Sequence, residues 1–341
     1  MKKVFLLLFI TLTFTSCTSQ KQAVKKTPFD EQKYINNITA EALKRHLTIV
    51  ASDEMGGRDT GSPGQKKAGQ YLIDQYKNAG IAFPKGATSY YQPIPAAYLN
   101  AKRNENLGDS ENIWAFIEGS EKPEEIIVIS AHYDHLGKTI DEVYNGADDD
   151  GSGTVALVEI AKAFQKAKEE GHGPKRSILI IHMTGEEHGL LGSKYYTENP
   201  LFPLGLTVAD VNIDMIGRRD ELHKDNNNYI YLIGSDYLST DLYTICEDVN
   251  KKFIHLNLDY KYNDRNDRNR YYYRSDHYNF AKNGVPSVFL FNGTHADYHK
   301  ATDEVDKIEF DALAKRAQLG FAIAWEIANR DNRLEVDKSG K

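Results

Sequence analysis

Short apolar runs recur along the middle of the chain, and polar residues follow each of them. The clearest run is Ile126–Ile129, a β-branched segment bounded by charged residues, which is typical of a buried parallel strand. Similar patterns predict further strands at 112–118, 177–184, 207–213, 229–233 and 285–291. The run at 112–118 is expected beside the strand that begins at Glu125.

Helical patterns separate most of these runs. Apolar residues three and four positions apart predict helices at 66–79, 154–169, 238–251 and 308–329. Strands that alternate with helices indicate an α/β fold, in which a mostly parallel mixed sheet is covered by helices on both faces.

The first residues predict a targeting segment and not part of the folded domain. Residues 1–16 contain two lysines, a short apolar core and small residues before Cys17, which is typical of a lipoprotein-type signal peptide. We therefore expect a signal peptide over 1–16, a tether over 17–28 and a single domain over 29–335. The mature protein is expected to be exported and to face the cell envelope or periplasm, with a lipid on Cys17 attaching it to the membrane. Ordinary cleavage nearby is the alternative.

The amino-acid composition narrows the possible binding partners and the role of the cysteines. The 341-residue chain has a net charge of −7 and no block of lysine or arginine, which argues against a nucleic-acid partner. Its two cysteines are Cys17 and Cys246. Because a lipidated Cys17 would exclude an intrachain disulfide, we expect Cys246 to be a buried apolar residue.

Side chains that can bind metal follow four of the predicted strands. They are His132 with Asp134, Glu186 with Glu187, Asp214, and His299. Three aspartates, Asp148–Asp150, also lie between the strand at 126 and the next helix, where three like charges need cations to neutralise them. Imidazoles and carboxylates are zinc ligands, and a catalytic zinc keeps a position for water. If one carboxylate is shared, this ligand set fits two ions.

The motifs SAHYDH, GADDDGSG, TGEEHGLLGS, NIDMIG, RSDHYNF and DYHKATDE together resemble the M28 family of zinc exopeptidases, of the two-zinc aminopeptidase type. The resemblance runs from about Ser52 to the final helix. It implies a zinc-exopeptidase, phosphorylase/hydrolase-like fold and an M28-like catalytic domain. It also implies two zinc ions, with ligands at His132, Asp149, Glu187, Asp214 and His299.

The resemblance further implies roles within that site. Asp149 would bridge the ions, and the Asp149–Asp150 peptide would be cis. Glu186 would be the general base that acts on a metal-bridging hydroxide, Asp134 the partner of His132, and Tyr298 the residue that stabilises the oxyanion.

Other polar residues near the motifs receive no chemical role. The role of the triplet Ser275–His277 is left open, because a helix cap with packing would account for it equally well, and Arg58 with Asp59 is interpreted as a structural turn. The remaining histidines near the motifs are interpreted as structural. These are His135, His182 and His188.

The predicted function is the removal of N-terminal residues from a peptide substrate. One alternative is a glutaminyl-peptide cyclase-like transferase with a single zinc, and another is a non-catalytic binding relative. Carboxypeptidase and dipeptidase activity, the preferred N-terminal residue and the oligomeric state are left open.

Overall fold

The structure is a computed structural model that describes residues 30–101 and 105–339. Its helices are α1 (Glu31–Ile35), α2 (Ala40–Val50), α3 (Pro63–Asn78), α4 (Ala96–Leu99), α5 (Gly153–Glu169), α6 (Leu191–Glu198), α7 (Thr240–Val249), α8 (His277–Ala281) and α9 (Phe310–Asn329). Its strands are β1 (Tyr91–Ile94), β2 (Ser110–Ile117), β3 (Lys122–His132), β4 (Arg176–Met183), β5 (Thr207–Ile213), β6 (Tyr229–Ile233), β7 (Asn257–Asp259) and β8 (Ser287–Phe291). The predicted signal peptide, the tether and Cys17 lie outside the described residues.

The strands form one mixed sheet in the order β1-β2-β4-β3-β5-β8-β6-β7. The four central strands, β4, β3, β5 and β8, run parallel to one another. The pairs β1–β2, β2–β4 and β6–β8 are antiparallel, and the edge pair β6–β7 is parallel. The expected position of β2 beside β3 is wrong, because β2 pairs with β4 and β4 separates the two strands.

Alternate residues of β3 pack into different layers. Ile127 and Ile129 belong to the larger apolar core, which also contains residues of α5 and α9. Ile126 and Val128 belong to a second core, which contains residues of α6 and α8. Helices therefore cover both faces of the central strands, and the predicted α/β class with a mixed sheet is confirmed.

The helices contain the predicted buried cysteine and no candidate membrane span among the described residues. Cys246 lies on α7 and is a buried free cysteine, as predicted. Across residues 30–101 and 105–339, we find no helix with the length and apolar character that spanning a bilayer requires.

The parallel centre of the sheet decides where polar side chains gather. Because β4, β3, β5 and β8 point the same way, the residues that follow them emerge at one edge. Ligands of α/β proteins bind at this carboxyl edge, and most of the residues singled out from the sequence lie there.

Candidate metal and active site

The predicted site residues meet at the carboxyl edge of the sheet. His132 ends β3, Glu186 and Glu187 follow β4, Asp214 follows β5, Asp149 lies on the turn before α5, and His299 lies in the loop after β8. His132, Asp149 and Asp214 are almost fully buried, whereas the side chain of His299 is 38% exposed. Residues far apart in the chain therefore line one shared site.

The first cluster surrounds the Nε2 atom of His132. This nitrogen lies 3.3 Å from Oδ1 of Asp149 and 3.6 Å from Oδ1 of Asp214. Oε2 of Glu186 is 3.9 Å away. His132, Glu186 and Asp214 form one group of potential metal ligands, and Asp149 lies within 3.3 Å of its imidazole. An imidazole and carboxylates at such distances can share one divalent ion.

The second cluster surrounds the carboxylate of Glu187. Nε2 of His299 lies 3.1 Å from Oε2 of Glu187 and 3.2 Å from Oδ2 of Asp149. Nδ1 of His135 lies 2.9 Å from the other oxygen of Glu187. His135 has no predicted chemical role, yet it belongs to a group of potential metal ligands with Asp149 and Glu187.

Asp149 connects the two clusters. Its Oδ1 faces His132, and its Oδ2 faces His299. The Asp149–Asp150 peptide is cis, as predicted. A carboxylate that turns one oxygen to each cluster can bridge two ions.

The flanking aspartates hold the surrounding loops instead. Oδ1 of Asp150 accepts hydrogen bonds from the amides of Gly153 (2.8 Å) and Met215 (3.0 Å). Oδ1 of Asp148 accepts one from the amide of Gly217 at 2.6 Å. These contacts fix the turn before α5 against the segment that follows β5, so Asp149 alone of the three faces both clusters.

Burial and close ionisable neighbours shift the pKa values of several side chains at the site. Burial would raise the pKa of Asp149, but the imidazoles of His132 and His299 outweigh burial and hold that pKa well below its usual range. Burial would lower the pKa of His299, but the carboxylates of Asp149 and Glu187 raise it to about 10. Burial raises the pKa of Glu186 well above its usual range. Divalent cations would neutralise the clustered carboxylates, so the donor set fits zinc or a similar ion.

The predicted contact between Asp134 and His132 is made by a different atom. Nδ1 of His132 bonds with the backbone carbonyl of Asp134 at 3.1 Å, whereas the nearer carboxylate oxygen is 3.8 Å away. That carboxylate accepts hydrogen bonds from the Thr60 hydroxyl (2.9 Å) and the Glu186 amide (3.2 Å). Asp134 therefore orients His132 through its main chain and Glu186 through its side chain.

Ser275 has a contact that the sequence did not reveal. Its hydroxyl donates to Oδ2 of Asp214 at 2.5 Å and accepts from the Asn212 side chain at 2.8 Å. The neighbouring Asp276 precedes α8, but its side chain caps no helix amide and instead accepts from the Ser193 hydroxyl. The helix-cap explanation is therefore wrong for both residues. No local pattern marks Ser275, since its partner lies 61 positions away.

Arg58 is structural, as interpreted. It is fully buried and donates to the backbone carbonyls of Tyr133 (2.9 Å), Val50 (3.0 Å), Asn145 (2.6 Å) and Gly146 (3.0 Å). These carbonyls belong to α2 and to the segments on either side of the connection from β3 to the aspartate turn. Arg58 therefore fixes the backbone that presents His132 and Asp149.

Two other histidines have contacts that fit the structural interpretation. His182 lies in the core, where Nε2 bonds with the Tyr76 hydroxyl at 2.6 Å and burial lowers the pKa of the imidazole to about 3. His188 is held between Glu105 (2.6 Å) and Asp59 (3.0 Å) and turns away from Glu187.

A cavity of about 30 Å³ opens onto both clusters. Carboxylates and an imidazole line part of it, and aromatic or apolar side chains line much of the rest. The latter are Met215, Tyr271, Phe289, Phe291 and Tyr298. Tyr298 stacks on the His299 ring, with centroids 3.9 Å apart, and its hydroxyl accepts a hydrogen bond from Arg274 at 3.2 Å. The two polar clusters thus lie beside aromatic and apolar side chains.

The amino-acid sequence is similar to those of known peptidases. Residues 112–324 match the model of peptidase family M28. A leucine aminopeptidase 1 from Neurospora crassa is 26% identical over 329 residues, which cover 94% of this chain and 77% of that protein. The chain spans from about half to about three quarters of the length of the first curated relatives it matches.

Solved structures share the fold. The zinc aminopeptidase BSAP from Bacillus subtilis gives a TM-score of 0.65 at 15% identity, and the match covers 88% of this chain and 98% of BSAP. A Bacteroides thetaiotaomicron glutaminyl cyclase gives a TM-score of 0.64 at 18% identity, with 84% of this chain and 98% of that chain covered. At such identities the likeness extends to the fold alone.

Proposed function

The chain belongs to peptidase family M28, and from that premise we propose that it is a zinc-dependent aminopeptidase that removes N-terminal residues from peptides. One observation carries the proposal: Asp149 turns one oxygen to the cluster of His132 and the other to the cluster of His299, with Glu186 beside them. This arrangement suits two ions that share a carboxylate.

The ligands divide between the two ions. His132 and Asp214 would hold one ion, Glu187 and His299 would hold the other, and Asp149 would contact both. Bound zinc polarises a scissile carbonyl and brings the pKa of water from about 15.7 to about 7. The remaining chemistry belongs to the side chains around the ions.

Glu186 is placed to move the proton. Its carboxylate lies 3.9 Å from Nε2 of His132, and its amide is fixed by Asp134. Burial raises the pKa of this carboxyl, which makes the ionised carboxylate a stronger base, so Glu186 can take a proton from the attacking water and pass it to the leaving amine.

Tyr298 is placed to stabilise the oxyanion. Because Arg274 donates to the Tyr298 oxygen, the hydroxyl hydrogen is free to point into the pocket. Such a donor can bind the oxygen of the scissile carbonyl as its charge develops. The aromatic and apolar side chains beside the carboxylates suit the side chain of an apolar N-terminal residue.

The alternatives predict different metal contents or no reaction. A glutaminyl-peptide cyclase of this fold would need a single zinc, whereas two clusters of ligands meet here. A non-catalytic relative would tolerate the loss of ligands, whereas all five implied ligand positions carry zinc-binding side chains.

The test is hydrolysis by the zinc-loaded full chain. Leucine anilide and leucyl dipeptide anilide are compared with their N-acetylated forms, and a peptide with N-terminal glutamine reports cyclisation. We expect cleavage of the free substrates, little cleavage of the blocked ones, and loss of activity on zinc removal with recovery on its return. Cleavage restricted to blocked substrates, or cyclisation without hydrolysis, would contradict the proposal.

The N-terminal pattern supports a proposed location. We propose that the protein is exported and carries a lipid on Cys17, as residues 1–16 predict. Labelled palmitate should enter the wild-type protein, and the protein should partition into detergent. Cys17→Ser should lose both properties, and an unlabelled wild type would contradict the proposal.

A further inference from the structure

A third imidazole faces the second cluster. His135 is fully buried, and its Nδ1 lies 2.9 Å from Oε1 of Glu187 and 3.9 Å from Oδ2 of Asp149. We propose that His135 is a further protein ligand of the cation that Asp149, Glu187 and His299 hold. This inference rests on the proposed zinc site.

Four buried polar atoms at this point lack a hydrogen-bond partner. Within the described residues, both ring nitrogens of His135, Oε1 of Glu187 and Oδ2 of Asp149 are buried without a hydrogen-bond partner. Nearly all buried polar atoms have partners, because an unsatisfied one costs folding stability. One cation among His135 Nδ1 and the two carboxylate oxygens would satisfy three of these four atoms.

The spacings also fit one ion. Zinc bonds of about 2.0–2.2 Å in a tetrahedron put neighbouring ligand atoms about 3.3–3.6 Å apart. The distances from His135 Nδ1 to the two carboxylates are 2.9 and 3.9 Å, and those from His299 Nε2 are 3.1 and 3.2 Å. Both imidazoles therefore lie within about a ligand-to-ligand distance of Asp149 and Glu187, with His135 facing Oε1 of Glu187 and His299 facing Oε2.

The backbone holds the His135 ring in this position. A Cβ added to Gly146 would lie 2.5 Å from the ring carbons, so the ring packs directly on the glycine backbone. Gly146 has a φ of +52°, which glycine adopts without strain. The amide of His135 donates to the carbonyl of Arg58 at 3.2 Å, and Arg58 in turn binds the Gly146 carbonyl. The imidazole is thus pre-positioned.

A fourth protein ligand would make the two zinc sites unequal. His135, Asp149, Glu187 and His299 would close the second site, whereas His132 with two aspartates leaves a position open at the first. Structural zinc sites are closed and catalytic sites are open. The ion at the closed site would be the harder one to remove.

The experiment measures zinc itself. Zinc-loaded wild type, His135→Gln and His188→Gln are titrated with a chelator while bound zinc is measured, and X-ray absorption at the zinc edge counts the imidazoles. His188→Gln is the matched control, because His188 adjoins Glu187 but bonds with Asp59 and Glu105. We expect wild type to show three imidazoles for two zinc ions. The two zinc ions should be released in two separate steps.

His135→Gln should lose one imidazole and weaken the tighter step by more than about 100-fold, because loss of an outer-shell partner alone costs about 10–100-fold. His188→Gln should match wild type. The ligand role would be wrong if wild type showed only two imidazoles, or if His135→Gln kept the wild-type count. Because the wild-type count needs no variant, misfolding of His135→Gln would not obscure the result. A wild type that binds no zinc would instead contradict the proposed function.

Discussion

Ser275→Ala should weaken zinc binding at Asp214 by about 10–100-fold. The lost contact is a hydroxyl that donates to Oδ2 of Asp214 at 2.5 Å, a short distance typical of a hydrogen bond to a charged carboxylate. Such a bond contributes about 1.5–3 kcal/mol, and each 1.4 kcal/mol is a tenfold change in affinity. The result agrees with the about 10–100-fold effect of outer-shell partners on metal binding.

The hydrogen bond acts by orienting a proposed ligand. With Oδ2 bound to Ser275, the other oxygen of Asp214 faces His132 at 3.6 Å. Alanine would also leave the Asn212 amide without its 2.8 Å acceptor, which costs about 1–3 kcal/mol of folding stability. The substitution therefore has two effects that must be measured separately.

Ser130→Ala is the matched control. The Ser130 hydroxyl is buried and bonds with Asp210 (2.7 Å) and Asn212 (2.9 Å), but it contacts no proposed ligand. Zinc affinity is measured by competition with a chelator, and stability by urea unfolding of the metal-free proteins. Both variants should lose stability, and Ser275→Ala alone should lose zinc affinity. Equal zinc affinity in the two variants would refute the role given to Ser275.

Four further substitutions test other parts of the structure. Glu186→Gln should retain zinc but lower kcat by about 10²–10⁴-fold, the usual contribution of a general base; full activity would remove Glu186 from that role. Tyr298→Phe should lower kcat by about 10²–10³-fold with little change in KM, as loss of one oxyanion donor does, and an unchanged kcat would assign the tyrosine to packing. Arg58→Met should cost at least about 3 kcal/mol of unfolding free energy in urea, because it leaves the carbonyls of Tyr133, Val50 and Asn145 without this donor, while the Gly146 carbonyl keeps the Gly151 amide; Arg58→Lys should recover part of that loss. Burial lowers the pKa of the His277 imidazole to about 3, whereas a histidine in the unfolded chain has a pKa of about 6.5. As the pH falls below about 6.5, only the unfolded state therefore binds a proton at this imidazole, which lowers stability. His277→Phe should therefore lose about 2 kcal/mol less stability than wild type between pH 8 and pH 5, and equal losses would contradict this account.

Local pattern was enough for the apolar strands of the sheet, for the longest helices and for the residue types that follow those strands. The run Ile126–Ile129 is a buried strand because β-branched residues on both faces need two covering layers, and β3 has both. The position of β2 was not readable, because strand neighbours depend on long-range pairing. An apolar alternation predicts a strand but does not say which strand lies beside it.

The roles of some polar residues were predicted from the sequence, and those of others were not. His132 and Glu187 were predicted because each follows a strand within a motif. Thr60, Ser275 and His135 were not assigned chemical roles, since a threonine, a serine or a histidine in a loop has no local signature of the partner it meets. Their contacts depend on the packing of loops against the sheet edge.

The sequence by itself determined the apolar strands, their alternation with helices and the metal-binding side chains that follow them. These features are local, because burial acts on each residue where it stands and a motif is a set of neighbours. Only the tertiary structure decided the strand order, the two directions in which Asp149 points, and the contacts of Ser275 and His135. Those contacts join side chains held by separate loops, so their distances exist only after the sheet has assembled.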